Sequence, residues 1–403
     1  MRVVVLGVGG VGQVCAAELS KKPNVKTLIL GDISVDCAER FAKKLRSVTG
    51  TTIKVHRVDA SKIESVMEVT READVLIHAG LPDYNIQVMK ACLETRTHYI
   101  DMASNGPKWL LEQLDWDPLF KKKGILGIMG IGCDPGFSNI AARYAVDQLD
   151  TVESIMIRDG DNSVVDYDGF CAYFSPQTAI KECLAKPNYW TAELGEQFFP
   201  DPFFNKEEFE FPEPIGWLDC YNVEHEEVTT LGETIGKWKG CKYVDFKYAL
   251  HPDFVNTLKV LAYLGLDSDE VIEVNGAEVI PRDVVVTTMP KPTDLAGKIH
   301  GYSCVGALVR GTKGDRSKEL YVYTMANHDE VFKKTGFQAT VWQTGVPPVA
   351  AVELIANESL KGRFGCIPPE LIDPLPFLNI VKSMGMDWQI IEKTGPIVRK
   401  SSA

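Results

Sequence analysis

The chain opens with Val3-Val4-Val5-Leu6-Gly7-Val8-Gly9-Gly10-Val11-Gly12, and this stretch decides the fold of the domain that it begins. Four apolar residues, three of them β-branched, predict a short buried strand. The glycine turn leads into residues 13–21, which have helical spacing of apolar side chains, and then into a second apolar strand over residues 25–30. That strand ends at Gly31-Asp32. The order strand, glycine turn, helix, strand and acid predicts the start of a dinucleotide-binding fold.

Each glycine of the turn has a physical purpose in such a fold. We expect Gly7 to make the tight turn, Gly9 to let the backbone approach a pyrophosphate, and Gly12 to let the helix pack on the strand. The free N–H groups and the positive dipole end of the helix would stabilise the phosphates. A turn with a purely structural role is the alternative, but the strand, the helix and the spaced acid together favour the dinucleotide interpretation.

Asp32 follows Gly12 at the spacing where a carboxylate accepts hydrogen bonds from the adenosine ribose hydroxyls. The 2′-phosphate of NADP would face a like charge there, and Ile33 offers no cation to neutralise it. We therefore predict NAD as the cofactor, in preference to NADP. The other residues predicted to contact it, besides the three glycines, Asp32 and Ile33, lie in the turn or at the ends of later strands: Gly10, Val11, Asp59, Ala60, Ala79, Gly80, Leu81, Pro82 and Ser104.

The composition excludes several classes of protein. A length of 403 residues suggests two or three domains, and 45% hydrophobic residues are ordinary for a globular chain. The net charge is −12 and the longest basic run is Lys121-Lys122-Lys123, so we expect neither nucleic acid nor a membrane surface as a partner. Ten cysteines are scattered without a CxxC pair. We therefore expect reduced thiols, no metal site and a cytoplasmic protein without a signal peptide.

Strand and helix patterns alternate as far as Gly132, with further strands predicted over residues 52–58, 74–79, 98–102 and 125–131. One helix is predicted near residues 109–122. Right-handed crossovers would join these strands into one doubly wound parallel sheet, the Rossmann arrangement of an α/β domain. We predict that residues 1–132 form this nucleotide-binding domain.

The alternation stops after residue 150, and a separate mixed sheet of an α+β domain is predicted. Its expected strands cover residues 154–158, 241–249, 271–274, 284–288 and 320–325. The aromatic, proline-rich residues 189–221 are expected to be an irregular lid or pocket wall, or equally a packed surface loop. We predict residues 133–345 as an inserted substrate-binding domain and expect residues 346–403 to return to the first domain.

The turn Gly132-Cys133-Asp134-Pro135-Gly136 follows the last predicted parallel strand. A turn of this composition can present backbone N–H groups and one carboxylate at the mouth of the sheet. A tight turn capped by Asp134 is the structural alternative. Asp134 and Asp101, which end neighbouring strands, are candidate catalytic residues that would hold an ammonium group or the cofactor carboxamide, and Asp134 is the stronger of the two.

With these residues in view, the chain resembles the saccharopine dehydrogenase family over nearly its whole length. Four stretches carry the resemblance: the glycine turn, residues 91–95 with residues 98–101, residues 132–136 and residues 344–347. The middle of the chain is similar to the carboxynorspermidine dehydrogenase branch, through Tyr173-Phe174-Ser175-Pro176, His225-Glu226-Glu227, Leu258-Lys259-Val260-Leu261 and His328-Asp329-Glu330.

The resemblance implies an enzyme that interconverts a secondary amine with an imine, or with an aldehyde plus an amine, using a nicotinamide cofactor. It implies a homodimer formed through the sheet of the second domain. It also makes His225 a candidate catalytic residue, since Glu224, Glu226 and Glu227 would raise its pKa if they pack near it. A histidine in such a charged run is otherwise typical of a solvated surface.

One departure from the family pattern bears on function. The reductive polyamine and saccharopine enzymes typically end the second strand with Ser-Arg or Cys-Arg, which hold NADPH, whereas this chain has Gly31-Asp32. The departure favours a dehydrogenase that acts on the CH–NH or CH–NH₂ group of a lysine-like or saccharopine-like amine. The alternatives are a carboxynorspermidine-type reductase of polyamine metabolism and a non-catalytic NAD-binding protein.

Overall fold

A computed structural model gives the fold of residues 1–393 and 398–400. These residues divide into two compact units. The first unit comprises Met1–Tyr144 and Trp342–Trp388, and the second comprises Ala145–Val341 and the described residues from Gln389 onward. No helix within the described residues combines the length and the apolar character that crossing a bilayer requires.

Strands and helices alternate in the N-terminal segment. In chain order they are β1 (Arg2–Leu6), α1 (Gly10–Leu19), β2 (Thr27–Asp32), α2 (Val35–Arg46), β3 (Thr52–Arg57), α3 (Ile63–Thr70), β4 (Val75–His78), α4 (Asn85–Thr95), β5 (His98–Asp101), α5 (Pro107–Leu114), α6 (Asp117–Lys123), β6 (Leu126–Ile128) and α7 (Phe137–Gln148).

The middle segment is richer in strands. Its elements are β7 (Thr151–Asp161), β8 (Val164–Val165), α8 (Pro176–Leu184), β9 (Asn188–Thr191), β10 (Gly195–Phe198), β11 (Glu207–Glu210), β12 (Trp217–Asn222), α9 (Glu226–Leu231), β13 (Tyr243–Ala249), α10 (Pro252–Tyr263), β14 (Ile272–Val274), β15 (Ala277–Val279), α11 (Pro281–Thr288), β16 (Ile299–His300), β17 (Tyr302–Lys313), β18 (Arg316–Asn327) and α12 (His328–Thr335). The last elements are α13 (Ala339–Ala356), β19 (Gly365–Ile367), α14 (Pro374–Ser383), β20 (Trp388–Lys393) and β21 (Val398–Lys400).

The first unit is built on a parallel sheet with the strand order β3-β2-β1-β4-β5-β6-β19. Its central strands are apolar because helices cover both faces, and Val4, Leu76 and Ile100 are fully buried. The strand order reverses between β1 and β4, and in such sheets ligands bind at this reversal, outside the carboxyl ends of the strands. The predicted doubly wound Rossmann sheet is confirmed.

The second unit contains a mixed sheet with the order β20-β18-β17-β7-β13-β12-β11-β21, and β9 also pairs with β13. The β7–β13 pair is parallel, whereas β17 and β18 form a long antiparallel hairpin. This confirms the predicted mixed-sheet domain. Residues 342–388 belong to the first unit as expected for the C-terminal segment, but β20 pairs with β18. The described residues from Gln389 onward therefore do not return to the first unit, and residues 394–397 and 401–403 of the predicted segment lie outside the described residues.

Four local predictions are wrong for identifiable reasons. Residues 284–288 lie in helix α11 rather than in a strand, since Pro281 and Asp283 supply a helix start that overrides the β-branched run. Residues 271–274 overlap β14, which pairs only with β15 outside the main sheet. The passage over residues 189–221 contains most of β9 to β12, because its prolines fall between the strands. The helix near residues 109–122 is two helices, since Pro118 starts α6.

The glycine turn after β1 is tightly packed at Gly7 and Gly12 and open at Gly9. A Cβ placed on Gly12 would lie 1.9 Å from the carbonyl oxygen of Gly7, and one on Gly7 would lie 2.7 Å from the backbone of Ala79. Gly7 also has a φ of +93°, which L side chains rarely adopt. At Gly9 no atom lies within 4 Å of such a Cβ. Gly7 and Gly12 therefore hold α1 against β1 and β4, while Gly9 leaves open space.

We predict different stabilities for two alanine variants of this turn. Gly12→Ala forces backbone atoms apart and should lower the free energy of unfolding by about 1–3 kcal/mol. Gly9→Ala should change it by less than about 0.5 kcal/mol, because the new methyl group enters open space. Urea denaturation followed by circular dichroism measures both variants, and equal losses would contradict the packing described for Gly12.

A buried carboxylate ties β5 to the segment that follows β6. The two oxygens of Asp101 accept hydrogen bonds from the backbone N–H of Gly130 at 2.6 Å, Gln113 Nε2 at 2.6 Å, the Tyr99 hydroxyl at 2.9 Å and Asn85 Nδ2 at 3.3 Å. Asp101 is only 1% exposed. Burial raises its pKa to about 6 even though these donors lower it. The carboxylate is therefore an internal anchor.

The raised pKa of Asp101 predicts a pH-dependent difference between the wild type and Asp101→Asn. The folded protein binds the proton of Asp101 more tightly than the unfolded chain, so this contribution to stability is present below about pH 4 and is lost as the pH rises through about 6. From well below pH 4 to well above pH 6 the wild type should lose about 3 kcal/mol of stability relative to the variant. Urea titrations at each pH test this, and a difference that is independent of pH would contradict it.

Candidate functional site

The carboxyl edge of the first sheet brings together the residues predicted to bind a cofactor. Gly9 is exposed at the turn, and Gly10, Val11 and Gly12 form the first turn of α1, where backbone N–H groups have no acceptor within the helix. Together with the open space at Gly9, this arrangement fits a pyrophosphate. The fit supports a dinucleotide at this edge.

Asp32 ends β2 beside this turn and is half-buried. Its Oδ2 accepts a hydrogen bond from the backbone N–H of Val8 at 2.7 Å, and its Oδ1 accepts one from the backbone N–H of Ser34 at 2.7 Å. The carboxylate thus fixes the glycine turn against the start of α2. Each carboxylate oxygen has further lone pairs, so Asp32 can also accept from ribose hydroxyls. Ile33, next to it, is 57% exposed.

Residues 79–82 follow β4 and are held by a histidine that sequence reasoning missed. His78 is buried, and its Nε2–H donates a hydrogen bond to the carbonyl oxygen of Leu81 at 3.2 Å. Burial lowers the pKa of His78 to about 4, so the imidazole is neutral at physiological pH. A polar residue at the end of the run Val75-Leu76-Ile77 was the available signal in the sequence. His78 therefore positions Ala79, Gly80, Leu81 and Pro82.

The remaining predicted cofactor residues lie at the ends of β3 and β5. Asp59 accepts hydrogen bonds from Ser61 and forms an ion pair with Lys62 at 3.2 Å, and these two partners lower its pKa. Ala60 is half-buried and packs against the core of the unit. Ser104 is buried, and its hydroxyl donates to the carbonyl of Gly106 at 3.0 Å. Contacts between these three residues and a cofactor stay a prediction.

The turn that carries Asp134 is fixed by backbone contacts on both sides. The N–H of Phe137 donates to the carbonyl of Gly132 at 3.0 Å, and the N–H of Gly136 donates to Asn139 Oδ1 at 2.9 Å. Gly136 has a φ of +133°, and a Cβ there would lie 2.1 Å from the oxygen of Gly132. Asp134 is half-buried at the tip of this turn. The turn after β6 thus presents a carboxylate from a rigid backbone.

Asp101 supports this turn instead of lining a site. Its side chain holds the N–H of Gly130, and its backbone carbonyl accepts a hydrogen bond from the N–H of Ile131 at 2.8 Å. With all its donors internal and 1% exposure, Asp101 has the contacts of a positioning residue. The direct catalytic contact predicted for Asp101 does not fit this burial. The partners Asn85 and Gln113, which bind it, were missed because they lie in helices with no motif around them.

In the second unit, a group of acidic side chains surrounds His225. We call these residues the glutamate cluster: Glu182, Glu196, Glu224, Glu226 and Glu227. His225 is 3% exposed. It is therefore buried and does not occupy the solvated surface position that is typical of such a charged run. Its ring stacks on Phe246 with the ring centroids 3.8 Å apart.

Both ring nitrogens of His225 face carboxylates. Nδ1 hydrogen-bonds to Glu227, and Nε2 lies 3.5 Å from Glu182 Oε1. Burial lowers the pKa of His225, but the charges of Glu227 and Glu182 and their hydrogen bonds outweigh it, so the pKa lies well above its ordinary value. Of the three glutamates predicted to raise this pKa, Glu227 is a leading cause, whereas Glu182, the other leading cause, was not predicted. The imidazolium form of His225 is therefore favoured, with Nδ1 bonded to Glu227 and Nε2 facing Glu182.

Backbone contacts position the cluster. Asn188 Oδ1 accepts a hydrogen bond from the N–H of His225 at 3.0 Å, and Asn188 Nδ2 donates to the carbonyl of the same residue at 3.1 Å. Glu196 Oε1 accepts from Asn188 Nδ2 at 2.8 Å and from the Thr229 hydroxyl at 2.7 Å. Helix α8 supplies Glu182 from the opposite side. Sequence reasoning missed Asn188, Glu182 and Glu196, which are remote in the chain.

The second unit also contains a cavity of about 500 Å³. Its wall includes Asp161, Tyr173 and Cys183, and Cys183 follows Glu182 on α8. His328 Nδ1 accepts the backbone N–H of Ala339 at 3.2 Å, so the proton lies on Nε2, which faces Asp161 Oδ2 at 3.4 Å. The size is that of a small-molecule pocket.

Comparisons with known proteins agree with this arrangement. The family model described as the saccharopine dehydrogenase NADP binding domain matches residues 3–128, and the saccharopine dehydrogenase C-terminal domain matches residues 132–386. The carboxynorspermidine synthase of Vibrio alginolyticus is 29% identical over 432 residues, which cover 99% of this chain and 100% of that protein. The carboxyaminopropylagmatine dehydrogenase of Synechocystis sp. is 26% identical and covers 96% of both chains.

A solved structure shows the same fold at low identity. Apo saccharopine dehydrogenase (L-Glu forming) from Saccharomyces cerevisiae has a TM-score of 0.72 with 15% identity, covering 98% of this chain and 100% of that one. The cofactor of the first unit is accordingly a nicotinamide dinucleotide. Two family models that together span most of the chain show that it belongs to the saccharopine dehydrogenase family, as an oxidoreductase that acts on amine-containing substrates.

Proposed function

We propose that this protein is an NAD-dependent dehydrogenase that acts on the secondary amine of a carboxylated polyamine. The end-to-end match to relatives named for carboxynorspermidine and carboxyaminopropylagmatine carries the proposal. The sequence alone favoured a lysine-like or saccharopine-like amine, with the polyamine branch as an alternative. The match to the yeast saccharopine dehydrogenase, at 15% identity, supports the fold and not that substrate. The polyamine branch is therefore the better supported class.

The proposed reaction balances as a two-electron oxidation. The bound nicotinamide would accept a hydride from the carbon of the C–N bond. The amine loses a proton as the C=N bond forms, and water then cleaves the imine into an aldehyde and a primary amine. In the opposite direction the imine carbon gains the hydride and its nitrogen gains a proton. The protein must hold the cofactor, orient the amine and supply or remove that proton.

We propose that Asp134 takes part at the reacting end, as a carboxylate that binds the amine or the cofactor carboxamide. Three features support this assignment. Asp134 lies at the tip of a backbone-fixed turn, it follows β6 at the ligand-binding edge of the sheet, and it is half-buried. Asp101 contributes indirectly, because it holds Gly130 at the start of the same segment. His225 belongs to the second unit, and we assign it a role in binding a charged group of the substrate.

We propose NAD as the preferred dinucleotide, on the strength of Asp32. A 2′-phosphate would place a dianion beside a carboxylate that already has fixed backbone donors. Ile33 brings no positive charge. Arg57 is in register with Asp32 on the neighbouring strand and is exposed, so it is the residue that would have to pair with such a phosphate.

We predict that purified protein oxidises carboxynorspermidine or a closely related carboxylated polyamine with NAD. The rate is followed by nicotinamide absorbance, with lysine, ornithine and saccharopine assayed in parallel and the reverse reaction assayed with NADH. The kcat/KM should be at least about a hundredfold higher for the carboxylated polyamine than for lysine or saccharopine, because a site built for one set of polar groups rejects a substrate that lacks them. Turnover of saccharopine or lysine alone would contradict the proposed substrate class.

We predict that the double variant Asp32→Ser, Ile33→Arg weakens NAD binding by about tenfold or more, because the hydrogen bonds from the ribose to a charged acceptor are lost. NADP binding should strengthen, since the new arginine can pair with the 2′-phosphate. Arg57→Ala is the matched control and should leave the NAD affinity unchanged. Calorimetric titration with each dinucleotide measures these affinities. Equal affinity of the wild type for NADP and NAD would contradict the preference.

A further inference from the structure

We infer that the glutamate cluster around His225 binds an ammonium group of the substrate. This inference rests on the proposed function, which makes the ligand an organic polyamine. It assigns a substrate-binding role to Glu182 and Glu224, for which the sequence pattern indicates no binding role. The site lies wholly within the second unit.

The first observation is an unsatisfied buried carboxylate. Glu224 is 8% exposed, and its Oε1 accepts no hydrogen bond from any residue in the described part of the chain. Burial and the nearby carboxylates of Glu226, Glu182 and Glu196 raise the pKa of Glu224 well above its ordinary value, so the group lies among the acids of the cluster. A buried acceptor without a donor is costly unless a ligand or water supplies one. Glu224 therefore marks a position for a donor that the protein itself does not provide.

The second observation is the imbalance of charge. Within residues 1–393 and 398–400, no lysine or arginine forms an ion pair with Glu182, Glu196 or Glu224. His225 is the cation that the cluster contains, and its Nδ1 is already engaged by Glu227. Glu182 and Glu196 thus lie near one imidazolium without a lysine or arginine partner, and burial together with Glu226 disfavours the charged form of Glu224 as long as no further cation is near. A cationic ligand would supply the missing partner.

The local geometry suits an ammonium group. Glu196 is fixed by Asn188 and Thr229, so its carboxylate stays in place without a ligand. The side chain of Glu182 is 17% exposed, so the cluster reaches solvent at this residue, whereas Glu224 is buried. An ammonium group has three N–H donors on a compact charge and no acceptor, which matches a ring of carboxylate oxygens. Glu182 is also followed on α8 by Cys183, a residue in the wall of the cavity of about 500 Å³.

A metal ion is the other cation to consider. Ligand atoms of His225, Glu226 and Glu227 lie within 4.8 Å of one another. A histidine that binds a metal must offer a free nitrogen lone pair, however, and both nitrogens of His225 face carboxylates. The contacts of His225 thus favour an ammonium ligand over a divalent ion.

The test compares spermidine with MnCl₂ as ligands for the full-length protein, without dinucleotide, by calorimetry at physiological ionic strength. Because no dinucleotide is present to accept a hydride, binding of spermidine is measured without turnover. Glu224→Gln keeps the shape of the side chain and removes its charge. Glu193→Gln makes the same chemical change at an exposed position of the same unit. We expect spermidine to bind the wild type and Glu193→Gln equally, and to bind Glu224→Gln at least about tenfold more weakly.

Thermal melts with and without spermidine provide an independent readout, because a purely structural role of Glu224 would not change how much spermidine raises Tm. Without ligand, Glu224→Gln should leave Tm within about 2 °C of the wild type, because burial already disfavours the charged form of Glu224 and glutamine keeps the shape of the side chain. Saturating spermidine should raise the Tm of the wild type more than that of the variant. Equal spermidine affinity in both proteins, or Mn²⁺ binding that spermidine does not displace, would overturn the inference.

The inference and the proposed function fail separately. If the wild type turns over a carboxylated polyamine and Glu224→Gln leaves its KM unchanged, the ammonium site is wrong and the proposed function stands. If spermidine binding depends on Glu224 while no polyamine is oxidised, the ammonium site stands and the proposed substrate class is wrong.

Discussion

The first unit depends on the close approach of α1 to the end of β1. Only a residue without a side chain fits at Gly12, since a Cβ there would lie 1.9 Å from the carbonyl oxygen of Gly7. That contact aims the start of α1 at the carboxyl edge of the sheet. Asp32 then fixes the turn through the N–H of Val8, and Ala79 packs on the other side of Gly7. The shape of the dinucleotide site thus depends on one close backbone contact, between residues 7 and 12, that only glycine permits at residue 12.

The second unit contains two groups of buried charges that differ in balance. Arg158 binds Glu207 at 2.7 Å and Asp245 at 2.8 Å, and Lys247 binds Glu207 at 2.8 Å, so two cations match two acids. Such a network satisfies itself and stabilises a sheet. In the glutamate cluster, Glu182, Glu196 and Glu224 form no ion pair with a lysine or arginine of the described residues, and Glu224 retains an unused acceptor. Charge that a fold buries without pairing is more simply explained by a ligand than by stability.

The sequence predicted the features that short-range patterns encode. The Rossmann sheet, its glycine turn and the acid at Asp32 could all be predicted, because strand, turn and helix signals agreed over thirty residues. The burial of Asp101 could not be predicted, since the sequence at the end of a strand is the same whether the last side chain faces a ligand site or a helix. Glu182 and Glu196 were missed because they approach His225 only through the tertiary fold. The β-branched run after Asp283 led to a wrong strand prediction, because the helix start signals outweighed its β-strand propensity.

The most direct test of the central claim is amide hydrogen exchange of the wild type with and without NAD. Residues 8–12 and residues 33–34 should gain protection when NAD is added, because their N–H groups lie in the glycine turn, at the start of α1 and beside Asp32. We predict this footprint in the first unit, at the carboxyl ends of β1 and β2. Unchanged exchange at residues 8–12 under saturating NAD would contradict it.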